Sequence, residues 1–155
     1  MSTTSPHVDV DIDASPEHVY NLLSTVTRMG EWSPECVECR WLGDATAAQQ
    51  GVRFRGTSRN GWHRWSTTST ITVAEPGRAF EFDVTYLRMP VATWRYDLSP
   101  TEHGGTRLAE SVIDHRGALL RMVSPYITGS RDRHERNSAT MRTTLERLKA
   151  AAELE

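Results

Sequence analysis

Between Val52 and Ile113, five short segments rich in β-branched and aromatic residues alternate with turn signals, and this run restricts the possible folds more than any other feature of the chain. The segments are Val52 to Thr57, Trp65 to Val73, Ala79 to Tyr86, Val91 to Leu98 and Thr106 to Ile113. Asn60-Gly61, Pro76-Gly77, Met89-Pro90 and His103-Gly104-Gly105 punctuate them. Connections this short leave no room for a parallel crossover, which needs a dozen residues or more, so neighbouring strands run antiparallel as a meander.

Two more extended segments lie upstream. Val8, Val10 and Ile12 alternate with Asp9, Asp11 and Asp13, the period of a half-buried strand, and Cys36 to Leu42 follows the Trp32-Ser33-Pro34 turn. Between them Ser15-Pro16-Glu17 marks a helix start, with a capping hydroxyl, a proline where no N–H is needed and a carboxylate at the positive end. That helix closes at Met29-Gly30 or gives way after Thr25 to a second short one, and residues 43–51 form a connecting loop. From Ala118 to Leu154 no strand pattern occurs. Ser124-Pro125 repeats the cap-and-proline device, so the main helix begins or is kinked there, with Ile127, His134, Met141, Leu145, Leu148 and Ala152 on one face.

The 155 residues fit a single domain, residues 1–155, with about seven strands and one long helix. One long helix and a short one cannot cover such a sheet completely, so a bent sheet wrapped on the helix leaves an enclosed space. Phe54, Trp65, Phe80, Phe82, Trp94 and Tyr96 are its candidate walls, although each serves equally as core filling. Ser130, His134 and Asn137 or Ser138 interrupt the apolar face of the helix, which a dry core does not favour.

A formal charge of −2 and a pI near 6.3 speak against a nucleic-acid partner. No run approaches the ~18 to 20 apolar residues of a membrane span, and the first residues have neither a basic start nor an apolar stretch, so a cytoplasmic location without membrane insertion is expected. Cys36-Val-Glu-Cys39 has C-x-x-C spacing but no second pair and no nearby histidines, so no metal is expected. Residues three apart in a regular strand point to opposite faces, so these cysteines read as separate reduced thiols. Walker-A, G-x-S-x-G, H-E-x-x-H and G-x-G-x-x-G patterns are absent, and no cofactor is expected.

Asp11-Ile-Asp-Ala-Ser-Pro-Glu17, Trp32-Ser-Pro-Glu35, Gly51 with Phe54, Ala74-Glu-Pro-Gly77, Trp94-Arg-Tyr96 and Gly104-Gly-Thr-Arg107 occur in an order that resembles the START-like, or SRPBCC, superfamily. The resemblance is to its polyketide cyclase/dehydrase and lipid-transport branch, especially small stand-alone actinobacterial members, and covers essentially the whole chain. It implies an α+β helix-grip (START-like, Bet v 1-like) fold in which a seven-stranded curved antiparallel sheet surrounds a long C-terminal helix. It also implies a small hydrophobic ligand (lipid, fatty acyl or polyketide-like) held between them. Members of the superfamily include carriers, cyclases and toxin-like interaction proteins, so the resemblance leaves a polyketide cyclase/dehydratase or a toxin–antitoxin role open, as well as a monomer or homodimer.

The residues expected to meet a ligand are Trp32, Phe54, Trp65, Phe82, Trp94, Tyr96, Glu110, His134 and Met141. Indole N–H groups and the Tyr96 hydroxyl offer hydrogen bonds at the wall. Glu110 shares strand parity with Leu108 and Val112; it is either a polar anchor inside, partnered by Arg95 or His134, or an edge residue in contact with water. His134 supplies an acid or base near neutral pH, or a structural hydrogen bond. Met29 and Met89 are candidates for a flexible rim.

Overall fold

The computed structural model describes residues 7–128 and 133–155 and, within these, all side chains except those of Ser124, Thr128 and residues 133–137. Seven strands form one antiparallel sheet: β1 (His7–Ile12), β2 (Cys36–Trp41), β3 (Arg53–Asn60), β4 (His63–Glu75), β5 (Ala79–Tyr86), β6 (Met89–Pro100) and β7 (Thr106–Asp114). Their order across the sheet is β1-β7-β6-β5-β4-β3-β2, so the meander from β2 to β7 is flanked by β1. Helix α1 (Pro16–Ser24) and a 3-10 helix, Val26–Glu31, carry the chain from one edge to the other. Two helices follow the sheet, α2 (Ala118–Thr128) and α3 (Arg133–Leu154).

Local chemistry explains these boundaries. The Ser15 hydroxyl accepts from the His18 N–H at 3.2 Å, with Pro16 as the first helical residue, which is the cap expected from the sequence. Register shifts leave Val37 of β2, Thr72 of β4 and Val91 of β6 as extra residues, bulges that bend the strands. At the end of β1, a Cβ on Gly105 would sit 2.6 Å from the Ile12 carbonyl oxygen, so only glycine lets the β6–β7 turn approach there.

Two expectations need correction. Met89 and Pro90 are not a turn; they open β6, and the turn is made by Leu87 and Arg88 with φ of 50° and 67°. Both residues occupy the left-handed region that a two-residue hairpin of this type demands and that Asn-Gly fills cheaply. Replacing Leu87-Arg88 by Asn-Gly is therefore expected to stabilise the fold by about 1–2 kcal/mol in urea denaturation, because Leu87 is exposed and loses no packing. An unchanged midpoint would show that the turn is unstrained.

The main helix also differs. Helix formation resumes at Ala118 rather than at Ser124-Pro125, and Pro125 lies inside α2, where it removes one backbone hydrogen bond. Ile127 is thus on α2, while Met141, Leu145, Leu148 and Ala152 are buried on α3. Burying each large side chain contributes roughly 1.5–3 kcal/mol, which is what holds α3 against β1, β7 and α1.

Polar tethers reinforce the C-terminal end of α3. Glu153 accepts from the Asp13 N–H at 2.9 Å, Lys149 donates to the Asp11 carbonyl at 2.8 Å, and Glu155 pairs with Arg28 at 3.0 Å. The aromatic core lies beneath, where Phe80 stands edge-on to Tyr20 and Phe54 edge-on to Phe82.

Candidate functional site

Strand alternation sends one side chain in two toward α3, and along β3 to β6 the inward set includes Phe54, Trp65, Phe82, Trp94 and Tyr96. With Trp32 from the end of the 3-10 helix, these residues wall a cavity of about 200 Å³ between sheet and helix. Trp32 is itself buried and lies under the Arg28 guanidinium, 5.3 Å from the ring centroid. Phe80, named above as a wall, belongs to the packed core instead.

Glu110 also faces the cavity, and it is buried. It stands directly opposite Tyr96 in the β6–β7 register, and the Tyr96 hydroxyl donates to its Oε2 at 2.6 Å. Burial pushes the Glu110 carboxyl up to about 8, with the Tyr96 hydrogen bond opposing the shift, so near pH 7 the folded protein holds it mainly protonated. Burial likewise raises Tyr96, and the adjacent Glu110 raises it further. The second carboxyl oxygen, Oε1, is buried with no hydrogen-bond partner among the described residues.

Of the two partners expected for Glu110, Arg95 is corrected. Arg95 lies on the opposite strand parity and pairs with Glu81 at 2.8 Å and Asp97 at 3.0 Å. The His134 side chain falls outside the described residues, as do Ser130 and the Asn137 side chain. Met141 is fully buried but packs with Ala92 and Val112 in a neighbouring apolar cluster, and it does not line the cavity. Met29 lines the cavity; Met89 does not.

Several wall residues escaped the sequence reading. Thr67 and Ser69 share the inward parity of Trp65 and place small polar groups on the cavity wall. Parity alone was a sufficient signal for them. Thr140 and Thr144, one turn apart, supply the polar stripe of α3 that faces the cavity, and Thr140 donates to the buried Glu35 carboxylate at 3.3 Å. Asp114 and Arg116, paired at 2.7 Å, complete the wall.

The two cysteines are not on opposite faces. The bulge between Cys36 and Glu38 resets the alternation, so both thiols line the cavity with their sulfurs 3.5 Å apart. The hydrogen bond between them lowers the Cys36 thiol and raises that of Cys39, and burial raises Cys39 further. Among the described residues, no group of three or more His, Cys, Asp or Glu is placed to hold a metal ion, and no helix is long and apolar enough to cross a membrane.

A curved seven-stranded antiparallel sheet closed on a C-terminal helix, with an aromatic-walled cavity between them, defines the helix-grip, Bet v 1-like class. The chain belongs to the family described as polyketide cyclase / dehydrase and lipid transport, whose model matches residues 3–153. It is 30% identical to the Polyketide_cyc-like protein Cgl2372 of Corynebacterium glutamicum over 99% of this chain and 93% of that one, with a TM-score of 0.59. The fold is also that of the di-domain ARO/CYC StfQ from the steffimycin biosynthetic pathway. That match has a TM-score of 0.71 and 16% identity over 95% of this chain and 49% of that chain. Ara h 8.0201 superposes with a TM-score of 0.71 at 8% identity, covering 98% of this chain and 99% of that one. Comparison with curated proteins gives no match.

Proposed function

We propose that the chain binds a small hydrophobic molecule carrying one polar oxygen, seated among the aromatic walls with that oxygen at the Tyr96–Glu110 pair. The observation that carries this reading is the buried Glu110 Oε1, which has no hydrogen-bond partner among the described residues. Leaving a buried polar atom unmet costs about 1–3 kcal/mol, which a ligand hydroxyl or carbonyl recovers. With its carboxyl protonated, Glu110 donates to a ligand carbonyl while Tyr96 keeps Oε2 in place.

Size narrows the ligand class. A cavity of about 200 Å³ exceeds the roughly 150 Å³ that accepts benzene in an engineered apolar core and falls below the roughly 300–1,000 Å³ of drug-sized pockets. A one- or two-ring aromatic or a short acyl chain suits it.

A second reading, proton transfer to a bound polyketide-like ketone, is favoured by the same pair, because a carboxyl poised near neutral pH suits general acid catalysis. Family membership supports both readings. The test is a thermal-shift and native mass-spectrometry series with phenols, naphthols and short acyl acids. At about 100 times its Kd a true ligand stabilises by about 2.7 kcal/mol, a shift of several degrees. Thr67→Trp, which fills the cavity, is expected to abolish the shift. Equal shifts in the variant, or none in the parent chain, would sink the proposal.

A further inference from the structure

Three sulfur atoms meet on one wall of the cavity. Cys36 Sγ lies 3.5 Å from Cys39 Sγ, and Cys39 Sγ lies 3.8 Å from Met29 Sδ. Separate local devices bring them together: the bulge turns both thiols inward, and the 3-10 helix Val26–Glu31 carries Met29 over them. Gly56, the register partner of Cys39, leaves space beside its sulfur, since a Cβ there would approach Cys39 Sγ to 3.4 Å. Both cysteines are free thiols.

We infer that this triad is a site for one soft monovalent metal ion, copper(I), held by the Cys36 and Cys39 thiolates and the Met29 thioether. Two thiolates and a thioether are the donor set that selects copper(I), whereas calcium and magnesium require oxygen ligands. Structural zinc takes four donors, and no further His, Cys, Asp or Glu joins the cysteines among the described residues. In a trigonal set with metal–sulfur bonds of about 2.3 Å, the sulfurs lie about 4 Å apart. The two observed spacings are shorter by a few tenths of an ångström, a difference that small side-chain rotations remove.

Binding is an exchange of ions without electron transfer. Two S–H protons leave as one copper(I) enters, the metal stays monovalent, and the site changes from neutral to a single negative charge. The triad shares the cavity with the Tyr96–Glu110 pair, but its test reads copper uptake by sulfur and so does not depend on the hydrophobic-ligand reading.

The experiment titrates fully reduced chain with copper(I) under argon against the coloured chelator bicinchoninate. One ion per chain is expected. Cys36→Ser and Cys36→Ser/Cys39→Ser should each bind at least ~100-fold more weakly, and Met29→Leu about 10-fold more weakly. Because Cys39 is buried, Cys36→Ser is the variant that stands if the double change unfolds, with circular dichroism checking the fold. X-ray absorption of the loaded protein should show three sulfur neighbours at about 2.3 Å. Uptake unchanged in Cys36→Ser overturns the site, and two sulfur neighbours overturn the three-sulfur assignment.

Discussion

Glu110→Gln is expected to leave stability nearly unchanged near pH 4.5 and to raise it by about 3–5 kcal/mol at pH 8. In the unfolded chain this carboxyl titrates near 4.5, and in the folded protein burial moves it to about 8. Between those values the folded state holds one proton more than the unfolded state. Stability therefore falls as pH rises, by about 1.4 kcal/mol per unit, and levels off above the folded value. Glutamine imitates the protonated carboxyl, still accepts from Tyr96 and does not titrate, so the parent and variant profiles should diverge across this window. Urea denaturation at several pH values measures the gap. Parallel profiles between pH 5 and 8 would mean that the carboxyl is hydrated or charge-paired in solution.

Phe54→Ala carries a loss of similar size. The ring is buried, meets Trp41 at 6.1 Å and Phe82 at 5.2 Å, and forms part of the cavity wall. Truncating a core phenylalanine costs about 3–5 kcal/mol through lost burial and the void left behind. Here the void joins an existing cavity, so the surrounding strands have little means of collapsing into it. The variant should accept a larger guest than the parent chain, and an aromatic such as naphthalene should restore more of its melting temperature than it adds to the parent. A loss below about 1 kcal/mol would show that this part of the wall repacks.

The sequence made some of this legible because certain signals are local. Alternation along Val8–Ile12 and Thr106–Ile113, the cap at Ser15 and the turn glycines each depend on a few neighbouring residues, and the strands and α1 follow from them. The inward direction of Glu110 was likewise readable from the parity of Leu108 and Val112. Its partner was not, because Tyr96 meets Glu110 through the register between two strands, which no local pattern fixes. The bulge that gathers Cys36 and Cys39 reflects the pairing of β2 with β3, not the composition of β2. Leu87 and Arg88 are poor turn residues by propensity, and the strands on either side impose their backbone. Which face of α3 meets the cavity depended on how the helix is rotated against the sheet, and this brought Thr140 and Thr144 forward.

Most of the described polar tethers of α3 gather at its C-terminal end, where Lys149, Glu153 and Glu155 bind the first strand and its neighbourhood, and Thr140 makes one such bond, to Glu35, nearer the other end. The sheet, by contrast, is locked along its length by backbone ladders. The Thr140 end is held by the Thr140–Glu35 bond and by Met141 packed against Ala92 and Val112, so this stretch of the helix is where the cavity lining and the grip on the sheet coincide. Changes at Thr140 or Thr144 should then retune which guests are admitted, while changes on the strands mainly alter how firmly the sheet holds together.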